Sequence, residues 1–352
     1  MMRLGLGPGL ALLSAVLFGA STPLAKLLLD QIDPWMLAGL LYLGSGVGLT
    51  IVRVVSRSVR RGAPREAALR GGEWGWLALA VVAGGGIGPV LLMVGLARSA
   101  ATTAALLLNL EGVFTAVLAW FVFRENFDRR IALGMAVISA GALVLSWHGG
   151  AALDDALGPL AIAGACLAWA VDNNLTRKIS LSDPVQIALM KGGAAGTVNI
   201  AIALALGSRW PSPGPLAAAA VVGLAGYGVS LVLFVVALRH IGTARTGAYF
   251  SLAPFFGAII AVLVVKEPVT PQLLVAGALM GAGVWLHLTE RHEHEHAHDA
   301  MVHAHRHVHD EHHRHAHDRS APSGEPHVHP HTHVRLGHSH PHFPDIHHRH
   351  DH

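Results

Sequence analysis

The chain has 352 residues, 52% hydrophobic and 13% charged, with a mean hydropathy of +0.48. So few charges exclude an ordinary soluble domain, and a formal net charge of +3 spread between apolar runs gives no basic domain for nucleic acid. The single cysteine, Cys166, excludes both a disulfide within the chain and a cysteine metal cluster.

A helix crossing about 30 Å of hydrocarbon needs about 20 apolar residues. Ten segments qualify, at 8–29, 34–52, 74–96, 101–123, 129–147, 157–176, 184–206, 214–238, 243–265 and 270–288. The first is too long for the apolar part of a signal peptide, and many similar runs follow, so it reads as a span. Turn chemistry separates the spans at Asp33-Pro34, Asp183-Pro184 and Pro211-Ser-Pro-Gly-Pro215.

Loop charge predicts orientation. One side holds Arg3, Arg53, Arg57, Arg60, Arg61, Arg65, Arg70, Arg124, Arg129, Arg130, Arg177, Lys178, Arg239 and Arg245. The other holds Lys26, Arg98, Arg209 and Lys266, so the balance is fourteen against four. Both termini are expected in the cytoplasm, with the chain in the inner (plasma) membrane.

The two halves resemble each other. An offset of 142 pairs Phe114 with Phe256, Glu125 with Glu267, and Gly84 and Gly86 with Gly226 and Gly228. The stretch Phe18–Lys26 resembles Trp169–Arg177. Ala/Leu/Gly-rich helices look alike by chance, but the matching order of charged span-end residues favours a repeat. Five spans per copy force the second to insert upside down, which places a pseudo-two-fold site near the midplane. The expected fold is therefore all-α, ten transmembrane helices in two inverted five-helix repeats. These take residues 1–147 and 148–289, followed by a disordered tail over 290–352.

Gly19-Ala-Ser-Thr-Pro23, the run Leu110-Glu111…Phe114…Glu125 and its partner Leu252-Ala-Pro254…Glu267 resemble the EamA family of the drug/metabolite transporter superfamily. The resemblance covers residues 8–289. It implies the inverted-repeat fold, cytoplasmic termini, a cavity between the halves, and export of small metabolites. The family often has proline after the span-four glutamate. Here Gly112 stands there, while Pro254 is kept in span nine, so the resemblance implies a kink more firmly in span nine.

Ionisable groups in hydrocarbon usually face a cavity or a partner. Glu111 lies midway along span four with no obvious basic partner at its depth. It suits proton carriage or amine binding, or else a neutral acid bonded to a neighbouring helix. Asp172 and Lys191 fall at similar depth on consecutive spans. They read as an ion pair that either locks spans six and seven or acts as a gate, with Asn173, Asn174 and Asn199 nearby. Lys26, near the outer end of span one, Asn109 and Tyr249 complete the translocation candidates. The glycine runs 84–88 and 223–228 interrupt spans three and eight and read as cavity lining. The run Gly192-Gly193…Gly196 reads as close helix packing. Trp74 and Trp76 read as interfacial anchors.

Of the 63 residues from 290 to 352, 23 are histidine. Too few apolar residues remain to bury a core, so no fixed structure is expected. Alternating histidines form three groups: His292, His294, His296 and His298; His303, His305, His307 and His309; His327, His329, His331 and His333. Imidazole favours Zn, Ni, Co and Cu, and no spacing fixes a single site. Metal is expected as a ligand of this tail, and no cofactor is required by the spans, where His148, His240 and His287 all sit at or beyond the ends.

Three functions compete. The first is a secondary exporter of a small molecule, with lipid and substrate as partners and no nucleic acid. The second is a transition-metal exporter. The third is a membrane-anchored metal store or sensor. An enzyme is disfavoured, because no nucleophile–base pair or phosphate-binding loop is present.

Overall fold

The structure, a computed structural model, describes residues 6–59, 69, 71–122, 129–147, 153–177, 179, 183–288, 293–298, 301–307, 327–333 and 336–341. Arg60, Arg61, Arg65, Arg70, Arg124, Glu125, His148, Lys178, His292 and His309 lie outside them. So do the side chains of Arg57, Arg177, Arg239, His240, Arg245 and His287.

The first half contains α1 (Leu6–Leu28), α2 (Pro34–Val59), α3 (Glu73–Ala80), a π-helical segment (Val81–Ile87) and α4 (Gly88–Ala97). It continues with α5 (Ala101–Leu107), α6 (Leu110–Phe121) and α7 (Arg129–Ser146). The second half contains α8 (Leu153–Arg177), α9 (Pro184–Ala205), α10 (Pro213–Gly223), a π segment (Leu224–Val229) and α11 (Ser230–Phe250). It ends with α12 (Ala253–Ile260), a π segment (Ala261–Val265) and α13 (Pro271–Leu288). Among the described residues, eight helical stretches are long and apolar enough to cross a membrane, and Ala253–Val265 and Pro271–Leu286 are shorter apolar helices at the ninth and tenth places.

The Asp-Pro pairs start the second span of each half in the same way. Proline opens the helix with a preset φ and no N–H to satisfy. The preceding carboxylate accepts free first-turn amides. Asp33 Oδ1 accepts from the Trp35 N–H at 3.0 Å. Asp183 Oδ1 accepts from Val185 and Gln186 at 2.9 and 3.1 Å, and its Oδ2 pairs with Arg53 at 2.7 Å.

Packing repeats across the halves. Equivalent spans meet directly, α2 on α9 and α7 on α13. α1 packs on α11 and α12, as its counterpart α8 packs on α4 and α6. The α2–α9 seam closes through small residues, with Gly46 against Gly192 and Gly193, and Gly196 against Leu43, as the close-packing reading of span seven requires. One apolar core runs through both halves, including Met36, Leu92, Met93, Leu96, Ile162 and Met280.

Both π segments of spans three and eight fall on the matched glycine runs. Gly84, Gly85, Gly226 and Gly228 are buried there, against Asp172, Ala195, Ser21 and Ser45 respectively. These four glycines therefore serve close approach, which corrects the cavity-lining expectation for them. Span four breaks at Leu108-Asn109, level with the break at Ser251-Leu252 in span nine, although it has Gly112 in place of proline.

The boundary between spans eight and nine differs from expectation, since α11 runs unbroken through residues 239–242. The equivalent corner of the first half, residues 98–100, is open because side chains from elsewhere satisfy its backbone ends. Lys26 Nζ donates to the Leu96 carbonyl at 2.7 Å. Glu267 accepts from the Ala101 and Thr102 amides at 2.6 and 2.8 Å. A corner frees helix-end groups that need such partners.

The strand β1 (Glu293–His298) pairs antiparallel with β4 (Leu336–Pro341), and β2 (Met301–His307) with β3 (His327–His333). Alternation with period two is the strand repeat, and the ladders use backbone bonds rather than a core. The register sets His303 opposite His331 and His305 opposite His329.

Candidate functional site

The charged and amide residues that gather within the spans come from α6, α8 and α9. Asp172 and Asn173 are neighbours on α8 and therefore leave the helix about 100° apart. Asp172 is buried. Lys191, from α9, donates to both its oxygens at 2.7 and 2.6 Å, with side-chain exposures of 16% and 8% for Lys191 and Asp172. Thr176, one turn along α8, donates to Asp172 Oδ1 at 2.9 Å and lies 3.4 Å from Lys191 Nζ. The pair thus satisfies two desolvated charges together.

Asn173 turns the other way, toward α6. Its amide donates to Glu111 Oε1 at 2.8 Å and lies 3.5 Å from the Thr115 hydroxyl. Asn173 is exposed and Glu111 half-buried, whereas Asp172 and Asn174 beside them are buried. Among the described residues, no lysine or arginine forms an ion pair with Glu111.

The π segment of span three supports this cluster. Tyr42 Oη and Trp169 Nε1 both donate to the Gly84 carbonyl, at 2.8 and 2.9 Å, and Asn199 donates to Gly85 at 2.8 Å. Three spans therefore pin the bulge whose glycine face receives the Asp172 carboxylate. From Tyr42 an aromatic chain crosses to the second half. Tyr42 meets Tyr227 at 5.4 Å, Tyr227 meets Phe18 at 6.0 Å, Phe18 meets Phe250 at 5.3 Å, and Phe250 meets Phe234 at 4.9 Å.

A methyl at Gly84 would overlap the Asp172 carboxylate. Gly84→Ala should lower stability by about 1–3 kcal/mol through overpacking, read as an earlier thermal transition of the purified protein. Gly86→Ala is the control, because the nearest atom to its added methyl is the Val81 carbonyl oxygen at 3.8 Å.

The other candidates lie elsewhere. Lys26 holds the 98–100 corner. Asn109 is buried and donates to the Leu106 carbonyl at 2.9 Å, as a local cap. Tyr249 is half-buried near the end of α11. Asn174 bonds within its own helix at 2.9 Å. Sequence reasoning missed Tyr42, Thr115, Thr176, Trp169 and the reach of Glu267. Thr176 alone carried a usable signal, its i+4 spacing from Asp172. Of the tail histidines named above as metal ligands, all but His292 and His309 fall on the strands β1, β2 and β3.

Two matched halves of membrane-spanning helices, with charged groups where they meet, define a polytopic membrane transporter. A model of the EamA-like transporter family matches residues 5–147 and again 156–289, and the chain belongs to that family. A protein of Methanothermobacter thermautotrophicus named "Uncharacterized transporter" is 29% identical over 287 residues, covering 78% of this chain and 83% of that one. A protein of Pseudomonas fluorescens, named "Probable 4-amino-4-deoxy-L-arabinose-phosphoundecaprenol flippase subunit ArnE", is 38% identical over 115 residues. That match covers 31% of this chain and 97% of the flippase subunit. A solved crystal structure with 17% identity matches at TM-score 0.59 over 79% of this chain and 95% of its own, which concerns the fold alone.

Proposed function

We propose that the protein is a secondary transporter that exports a small metabolite or drug-like compound across the inner membrane by alternating access. Both termini, and a metal-binding regulatory tail, then lie in the cytoplasm. The observation that carries this reading is the Glu111–Asn173 and Asp172–Lys191 cluster, inside the spans beside a glycine break that recurs in the other half. Ionisable groups there mark substrate or ion pathways, and corresponding breaks in inverted repeats point to the binding site. The relative named for flipping an amino-sugar lipid supports an amphipathic cargo. In vesicles carrying the full chain, Glu111→Gln should reduce substrate flux at least tenfold with the protein still inserted. Unchanged flux removes Glu111 from the pathway.

The 23 histidines of residues 290–352 favour transition metals as the tail's ligands. Truncation after residue 289 should abolish most Zn²⁺ or Ni²⁺ binding by the purified protein. If the truncation also alters cellular metal content, a metal exporter replaces the small-molecule reading. If metal binding survives it, the tail is not the metal site.

A further inference from the structure

The ionisable groups described in this cluster are unequal in number: Asp172 and Glu111 are two carboxyl groups, and Lys191 is one amine. We infer that this site takes a monovalent organic cation, an alkylammonium with an apolar body, and that Lys191 is its built-in counter-cation on the neighbouring carboxylate. This inference rests on the transporter reading above and names its substrate class.

Asp172 is engaged on both oxygens, by Lys191 and by the Thr176 hydroxyl. Glu111 is not. Its described side-chain partner is the neutral Asn173 amide, on one oxygen, whereas a carboxylate offers about four acceptor positions. The unfilled positions lie beside an exposed asparagine and a threonine hydroxyl, both able to orient an N–H donor. An anion finds no such welcome, because Lys191 is already committed to Asp172. The aromatic chain from Tyr42 to Phe234 begins at the bulge that seats Asp172. Aromatic rings there suit both the apolar body of the ligand and its charge. The Asp172–Lys191 contact is itself an example of the recognition proposed, a primary ammonium held by both oxygens of a carboxylate.

The test uses the full chain purified in detergent and equilibrium dialysis with 2-phenylethylamine, 2-phenylethanol and 3-phenylpropionate. The three have similar bodies and differ in charge. The amine should bind saturably, and the alcohol and the carboxylate at least tenfold more weakly. Glu111→Gln should weaken the amine at least tenfold, and Glu111→Asp should restore part of the loss. Asp172→Asn, which brings the charge count to zero, should also weaken it, and adding Lys191→Gln should recover most of that loss. Monodisperse elution confirms that each variant is folded. Absence of saturable amine binding, equal binding of the alcohol or the carboxylate, or an unchanged Glu111→Gln variant overturns the assignment. In proteoliposomes, amine binding without flux overturns the transporter reading and leaves the cation site standing. Flux of neutral or anionic compounds alone does the reverse.

Discussion

Asp172→Ala destabilises the protein by about 3–5 kcal/mol, because it strands the Lys191 ammonium in a membrane interior. The only other described contact of that ammonium is Thr176 Oγ1 at 3.4 Å, too long for a strong bond. Lys191→Met should be milder. Asp172 keeps the Thr176 hydroxyl at 2.9 Å as a hydrogen-bond donor. The double variant Asp172→Ala/Lys191→Met should regain most of the loss, since well-packed apolar groups often replace a buried pair at little cost. The measurement is the temperature at which half of each detergent-purified variant loses its monodisperse peak. A shift of about 10 °C is expected for Asp172→Ala. If both single variants match the parent, the pair is not a structural lock between α8 and α9.

The parts legible in the sequence are those set by local chemistry. Hydropathy placed the spans because lipid demands long apolar helices. The Asp-Pro pairs placed the starts of α2 and α9, because one carboxylate reaches amides only two or three residues ahead. Asp172 and Lys191 were legible as a pair because two charges at one depth have few alternatives in hydrocarbon. Glu111 was legible as a candidate, but not its bond to Asn173, which depends on the rotation of α8 about its axis. Helix rotation is also why Tyr42, Trp169 and Asn199 could not be assigned to the carbonyls of the π segment. Lys26 read as a site residue from its depth alone. Its real partner is a carbonyl 70 residues away, and nothing local encodes that contact. Span four was harder still, since its break at Leu108-Asn109 has no proline to announce it.

Glu267→Gln opens the corner between α4 and α5. Span nine ends in a π turn, and Lys266 then adopts the left-handed region at φ 64°, a conformation that residues other than glycine rarely take. The turn delivers both Glu267 oxygens onto the first two amides of α5. The cation of Lys26 sits on the last carbonyls of α4. Anion at the amide end and cation at the carbonyl end are the favourable arrangement for helix dipoles, so the corner is held by charges from both halves of the chain. Glutamine offers one acceptor oxygen in place of two and no charge, leaving an amide unpaired. Hydrogen bonds to charged groups contribute about 1.5–3 kcal/mol, so amide hydrogen exchange in the peptide spanning residues 98–107 should quicken by roughly 10- to 100-fold. Labelling of a Ser99→Cys reporter by a membrane-impermeant maleimide should rise in parallel, while the native Cys166 stays buried and silent. Faster exchange without greater labelling would leave Glu267 as a helix cap alone; no change in either would mean that Glu267 does not hold the corner.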